Sequence, residues 1–443
     1  MADNNNPLAG ISADEHRAQL RRAVIASTVG TTIEWYDFLL YGTMAALVFG
    51  KLFFPNSTPI IGILQSFGVF FVGFVGRPIG AAIFGHWGDR IGRKATLIVT
   101  LLVTGIATIA VGCVPTYASI GVWGAVLLTF IRLVQGIGVG GEWGGSVLLA
   151  MEWARTDKNR GFLSSWPQFG APAGLFLANV AVLAFSWLSG DQFFVWGWRI
   201  PFLLSAVMVV VGLWIRLGIM ETPVFQKVID EERIERAPVW EVLKRQPKQV
   251  LLTALLRMPE QAPGYIVGAW IFSYGTLVLG FSRNFLLVAV ITQTVLGFMW
   301  VTVAGHLSDR IGRKNMYMLG ALFMGVFGFV YIALLNTQIP WVVFFAVAFS
   351  LVPVMTQYGP EAALIAESFT PRLRYSGCSL GYQLASIIAG GPSPFIATWL
   401  FATYHSAWPI AIYIAICAII GIVATAMLTD YTNKAIATEY AGV

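Results

Sequence analysis

The chain has 443 residues, of which 57% are hydrophobic and only 11% charged. An ordinary soluble domain carries about 25% charged residues, so a water-covered particle of this length is excluded and much of the surface must face lipid. The formal charge of +6 does not mark a nucleic-acid binder, because the basic residues fall mostly at the ends of apolar runs on one side of a membrane.

The hydropathy predicts membrane spans at roughly 23–50, 59–85, 95–114, 119–151, 161–188, 198–219, 250–280, 285–305, 316–336, 340–367, 376–402 and 408–429. A run of about 20 helical residues crosses a hydrocarbon core of about 30 Å, and the longer runs tilt or protrude. The first twenty residues are polar, with no short apolar run and no small-residue cleavage site, so no cleaved signal peptide is expected. Twelve crossings put both termini on one side.

Lysine and arginine choose that side. Arg17, Arg21 and Arg22, then Arg90, Arg93 and Lys94, then Arg155, Lys158 and Arg160 lie with the termini. So do the bases between spans six and seven, Arg310, Arg313, Lys314, Arg372, Arg374 and Lys434, whereas the other side holds Lys51, Arg199 and Arg283. The asymmetry predicts a cytoplasmic N-terminus at 1–22, a first six-helix lobe at 23–220, a cytoplasmic linker at 221–249, a second lobe at 250–429 and a cytoplasmic tail at 430–443. Glu231–Arg236 reads as a solvated helical linker. The expected fold class is all-α integral membrane.

The halves repeat. Gly85-His86-Trp87-Gly88-Asp89-Arg90-Ile91-Gly92-Arg93-Lys94 returns as Gly305-His306-Leu307-Ser308-Asp309-Arg310-Ile311-Gly312-Arg313-Lys314, with eight of ten positions identical at an offset of 220. Glu152 and Arg160 return as Glu367 and Arg374, and Gln168 returns as Gln383. Two parallel six-helix repeats are the organisation of a two-lobed carrier whose substrate site lies between the lobes near the midplane.

The decapeptide resembles the signature of the major facilitator superfamily. Gly30–Phe38, Gly76-Arg77-Pro78-Ile79-Gly80, Arg132–Gly136 with Gly140–Gly145, and Glu221-Thr222-Pro223-Val224-Phe225 resemble its metabolite:proton symporter family. The resemblance covers nearly the whole chain. It implies twelve transmembrane helices in two pseudo-symmetric lobes, a bacterial inner membrane, proton symport and uptake. Its substrates would be a dicarboxylate, tricarboxylate or shikimate-like acid, or a zwitterion such as betaine or proline. A monomer is the default for this fold.

A charge at bilayer depth costs at least ~2.5–3.5 kcal/mol and needs a partner or a wet cavity. In the first span Glu34, Asp37 and Tyr41 share one face at i, i+3 and i+7. Asp37 lies about 21 Å and Arg132 about 20 Å from the same side, counting 1.5 Å per residue. They can sit at matching depth, and in related facilitators such an acid and arginine form a proton-responsive pair. Burial disfavours a carboxylate's charge and a nearby arginine favours it, so separating the pair would load a proton. The plainer alternative is a permanent salt bridge. Glu142, among Gly140, Gly141, Gly144 and Gly145, is a second protonation site or a latch between helices, and Glu361 after Gly359-Pro360 reads the same way.

For substrate contact the candidates are Arg77 beside the kinking Pro78, Tyr41, Gln135, Gln168, Trp166, Gln383, and Arg257, Glu260 and Gln261. The last three, with the weaker candidate Tyr265, lie where Pro259, Pro263 and Gly264 predict a broken helix lining a cavity. Arg77 has the alternative of pairing with Glu142, and Arg257 that of neutralising Glu260. For a cytoplasmic gate, Asp89, Arg93, Glu152 and Arg160 are expected to cluster in the first lobe, and Asp309, Arg313, Glu367 and Arg374 in the second.

Cys113, Cys378 and Cys417 have no metal spacing, and no metal or cofactor is expected. Gly136-Ile137-Gly138-Val139-Gly140-Gly141 matches a dinucleotide pattern but lies inside an apolar run without a preceding strand, so helix packing explains it. Without a nucleophile elbow, zinc motif or phosphate loop the chain does not read as an enzyme. The partners expected are a small molecule, protons and lipid. A drug/proton antiporter on the same fold is the alternative, against which Gly170-Ala171-Pro172-Ala173-Gly174 departs from the Gly-Pro-x-x-Gly-Gly of such exporters.

Overall fold

A computed structural model of the chain describes residues 13–91, 93–152, 159–217, 238–370 and 373–432. The side chains of Asp89, Arg93 and Glu152 lie outside what it describes, as do the linker residues Glu231–Arg236. Eleven helices are long and apolar enough to cross a membrane among the described residues. They are α1 (Leu20–Phe53), α2 (Pro59–Phe84), α3 (Lys94–Cys113), α4 (Val122–Val147), α5 (Arg160–Phe194), α6 (Gly197–Leu217), α8 (Arg283–Ile311), α9 (Arg313–Asn336), α10 (Pro340–Glu367), α11 (Arg374–Tyr404) and α12 (Trp408–Met427). The twelfth, α7, is in pieces: Pro247–Leu256, Met258–Tyr265, a π-helical turn Ile266–Trp270 and Ile271–Leu277.

The breaks have local causes. Arg257 is a single turn residue between two pieces, and Pro259 at the start of the next has no N–H to give the preceding carbonyls. Pro263 removes a second donor inside that piece. Helix α4 is likewise interrupted at Gly141–Glu142. Prolines are tolerated inside α2 (Pro78), α5 (Pro167 and Pro172) and α10 (Pro360), and hydroxyls in the apolar helices bond back one turn, as Thr31 does to Ser27 at 2.8 Å.

Glycines set the closest crossings. A side chain at Gly136 or Gly140 would run into the backbone carbonyls of Gly73 and Arg77, so α2 and α4 touch backbone to backbone. The dinucleotide-like run is therefore a packing surface, as its setting in an apolar run predicts. Across the seam between lobes, α5 packs on α8 with Gly161 opposite Gly305. One buried core spans that seam, running from Trp35 and Phe74 to Tyr265 and Tyr358. The outward faces carry exposed Ile106, Phe130, Trp214, Phe345 and Ile419, a surface suited to lipid. The halves form two six-helix lobes with their ends aligned. The face where α1 begins and α12 ends is the terminal face.

Candidate functional site

A central cavity of about 60 Å³ lies on the seam between the lobes. Trp35 of α1, Pro172 of α5, Glu260, Gln261 and Tyr265 of broken α7, and Tyr358 of α10 line it. The room is that of a few water molecules. Tyr265 closes one wall edge-on against Phe74 and Phe70, with ring centres 5.0 and 5.9 Å apart. Behind those phenylalanines stand the arginines of the first lobe.

Asp37 and Arg132 are both fully buried, yet the pair expected from their matching depth does not form. Asp37 Oδ1 accepts from Ser205 of α6 at 2.7 Å, and Oδ2 has no partner. Arg132 gives Nη1 to Gln135 Oε1 and leaves Nε and Nη2 without acceptors. Its guanidinium lies in an aromatic cage, 3.9 Å from the Phe38 ring, 4.4 Å from Tyr41 and 4.8 Å from Phe70. Gln135 intervenes, donating to the Asp37 backbone carbonyl at 3.1 Å and to Thr108 at 2.7 Å. Depth along a helix fixes one coordinate only, and the aromatic cage fills the space the salt bridge requires.

Glu34 is also buried, with Oε2 unpartnered. Glu142 does not stand alone and does not meet Arg77: it is salt-bridged to Arg216 of α6, which also donates to the Leu97 carbonyl. Arg77 reaches the other lobe instead, donating to Ser386 of α11 at 3.2 Å while lying 4.3 Å from the Phe38 ring. Arg216 escaped the sequence reading, although an arginine inside the run Leu213-Trp214-Ile215-Arg216-Leu217 signals a buried partner.

Several sequence candidates turn out to staple the lobes rather than face the cavity. Gln168 accepts from Trp143 Nε1 at 2.9 Å and donates to the Tyr358 carbonyl at 3.3 Å. Its repeat mate Gln383 donates to the Gly140 carbonyl, also at 3.3 Å. Trp143 stacks on Tyr382 with ring centres 3.7 Å apart. Trp166, expected to wall the substrate site, is not part of the central cavity; it packs between Phe162 and Phe169. The tryptophan at the cavity is Trp35, which with Tyr358 was not singled out from the sequence. The cavity received its polar wall from α7, where the prolines predict one.

In the second lobe Arg257 holds two acids. Its Nη2 is 2.6 Å from Glu260 Oε1 and its Nε 2.7 Å from Glu361 Oε1. It also donates to the Tyr382 carbonyl at 2.7 Å and lies 3.2 Å from that ring.

The terminal face carries a network that crosses the seam: the second-lobe cluster expected of Asp309, Arg313 and Glu367 forms around Arg313, and Arg160 of the first lobe joins it, while the other first-lobe members lie outside the described side chains. Asp309 of α8 accepts from the backbone N–H groups of Gly161 and Phe162, both at 2.9 Å, where α5 begins. Arg160 Nε lies 3.3 Å from Glu367 Oε1, and Arg313 binds both Glu367 and Asp309. The carboxylate of one lobe thus meets the free donors and positive end of a helix of the other. Arg374 donates to the Ala366 carbonyl within its own lobe at 3.0 Å.

The opposite face has a hollow of about 540 Å³ between the lobes, lined by Lys51 of α1, Phe194 of α5, Thr276 of α7 and Arg283 of α8. Both cations sit on rings: Lys51 is 5.0 Å from Phe194 and Arg283 4.0 Å from Phe193. Among the described residues no carboxylate lines the hollow.

Residues 22–249 match the family model "Sugar (and other) transporter", and residues 145–371 match "MFS/sugar transport protein". The chain is 39% identical over 420 residues to an inner membrane metabolite transport protein of Escherichia coli K12, covering 93% of this chain and 94% of that one. It is 39% identical over 418 residues to the shikimate transporter of the same organism, covering 93% and 95%. Identity to a proline/betaine transporter of Salmonella typhimurium is 30% over 427 residues, covering 94% and 85%. A solved proton:xylose symporter superposes with a TM-score of 0.75 at 18% identity, covering 95% and 98%. The chain belongs to the major facilitator superfamily of membrane transporters, among its metabolite transport proteins.

Proposed function

We propose that the protein is a proton-coupled importer of a small organic acid, a mono- or dicarboxylate of shikimate type, working by alternating access. One observation carries the reading: among the described residues a fully buried acid of the first lobe, Asp37, has no cation, and a fully buried arginine, Arg132, has no carboxylate. A carboxylate in such a place is stable only with a proton on it. A guanidinium with unused N–H groups can bind a carboxylate that the transport cycle brings to it. Arg132 and the substrate then neutralise one another while Asp37 carries the proton.

Three further features support the direction and class. The cation-lined hollow opposite the terminal face favours arrival of an anion. The sealed terminal face closes the way to the cytoplasm until the network around Asp309 parts. The lysine and arginine bias assigns the terminal face, and both termini, to the cytoplasm of a bacterial inner membrane. The working unit is taken as one chain, since each lobe finds its partner within it.

A second reading is an importer of zwitterionic osmolytes. Glu260 on a cavity wall shared with Trp35, Tyr265 and Tyr358 suits an ammonium group better than an anion, and the proline/betaine transporters are among the relatives. Uptake into proteoliposomes of labelled shikimate, dicarboxylates, proline and betaine, with and without an inward proton gradient, separates the two. Gradient-driven accumulation of an acid is expected. Accumulation of betaine or proline alone would move the assignment to the second reading.

A further inference from the structure

We infer that the second lobe has a proton site of its own, one proton shared between Glu260 and Glu361 on the wall of the substrate cavity. The inference extends the proton-coupled reading, but its geometry and its test are independent of Asp37 and of transport.

The charges do not balance. Arg257 is the one cation paired with either acid among the described residues, against two carboxyl groups, and all three side chains are at most 5% exposed. The groups facing them from the packed helices are Tyr317 of α9, Tyr358 of α10 and Tyr382 of α11. None of these offsets the excess. Tyr317 donates its hydroxyl to the Leu256 carbonyl at 2.6 Å, and the hydroxyls of Tyr358 and Tyr382 bond each other at 3.0 Å. Glu361 Oε2 is buried and reached by no donor of these residues.

The two carboxyl groups are held on one guanidinium, Glu260 on Nη2 at 2.6 Å and Glu361 on Nε at 2.7 Å. Two ionised carboxylates on one buried guanidinium would leave an uncompensated charge, so one of them requires a proton. Like charges so close do not both ionise, and acid dyads share one proton for that reason. The sharing also fixes the count, since one proton and one arginine leave the cluster neutral. Glu260 faces the cavity and Glu361 stands behind it. A substrate group that hydrogen-bonds Glu260 therefore draws on the shared proton, which ties occupancy of the cavity to protonation of the second lobe.

The test is infrared spectroscopy of the purified protein in detergent, reading the C=O band of protonated carboxyl groups in wild type, E260Q and E361Q. Either variant leaves one carboxylate on Arg257 and is expected to stay folded, whereas E260Q/E361Q strands the arginine and loses its melting transition. Asp37 gives a protonated-carboxyl band of its own, so the comparison is made with D37N added to all three proteins; a band present in D37N and lost in both D37N/E260Q and D37N/E361Q is the expected result. A band that both variants leave unchanged would overturn the inference. If a single variant fails to fold, isotopically labelled glutamate in an E34Q/D37N background serves instead: the absence of any protonated C=O band that shifts on labelling overturns it equally.

Discussion

Arg132 gives one N–H to Gln135, and Gln135 gives its own to the backbone carbonyl of Asp37 at 3.1 Å. The glutamine holds the arginine off the acid. Replacing Gln135 with Ala lets the guanidinium turn toward Asp37, and an anionic substrate must then compete with that carboxylate. KM for the acid should rise about tenfold, which corresponds to roughly 1.4 kcal/mol of competing pairing. Initial-rate uptake in proteoliposomes measures it, and an unchanged KM would mean that Gln135 is a bystander.

Glu142 and Arg216 make the contrasting case of a pair already closed and buried. Breaking a buried pair leaves a charge uncompensated and costs about 3–5 kcal/mol. Glu142→Gln should therefore lower the melting temperature in detergent sharply, and Glu142→Gln combined with Arg216→Met should recover most of the loss. If the single variant keeps its stability and loses only coupling, Glu142 is a proton site rather than a latch.

The network on the terminal face is held by Asp309 on the second and third N–H groups of α5. Hydrogen bonds to a charged acceptor contribute about 1.5–3 kcal/mol, so Asp309→Ala should shift the closed-to-open ratio at that face by roughly 10- to 100-fold. Spin labels on the ends of α5 and α8 would read the change as a longer distance distribution. Gly161→Val should act the same way, because even a Cβ at 161 falls 2.8 Å from Asp309 Oδ1 and the Gly305 carbonyl.

Lys51 and Arg283 act at a distance if they gather anions at the mouth. Changing both to Ser should raise KM several-fold at low ionic strength, leave kcat unchanged, and lose its effect at high salt, where the screening length shrinks to about 3 Å at 1 M. A salt-independent effect would place them in direct contact with the bound substrate.

The helices and the repeat were legible because lipid imposes long apolar runs and because Asp89–Lys94 and Asp309–Lys314 are identical in sequence. Pro259 and Pro263 announced the break in α7, and with it Glu260 and Gln261 at the cavity. What did not show was who pairs with whom. Asp37 and Arg132 share a depth but are separated by Gln135 and the rings of Phe38 and Tyr41, an arrangement set by how three helices rotate about their axes. Arg160 and Glu367 carry equivalent marks in their own halves, which suggests lobe-internal clusters. The crossing of α5 against α8 brings them together across the seam instead. Trp35 stands unmarked inside Gly30–Phe38, since nothing in one sequence distinguishes a cavity tryptophan from a core one.

Coupling through Asp37 is the claim on which the account turns, and Asp37→Asn tests it most directly. The variant should fold and exchange labelled acid for unlabelled acid across the proteoliposome membrane. It should no longer accumulate the acid against its gradient when an inward proton gradient is imposed. Accumulation by Asp37→Asn at the wild-type level would contradict the account and return Asp37 to a structural role beside Ser205.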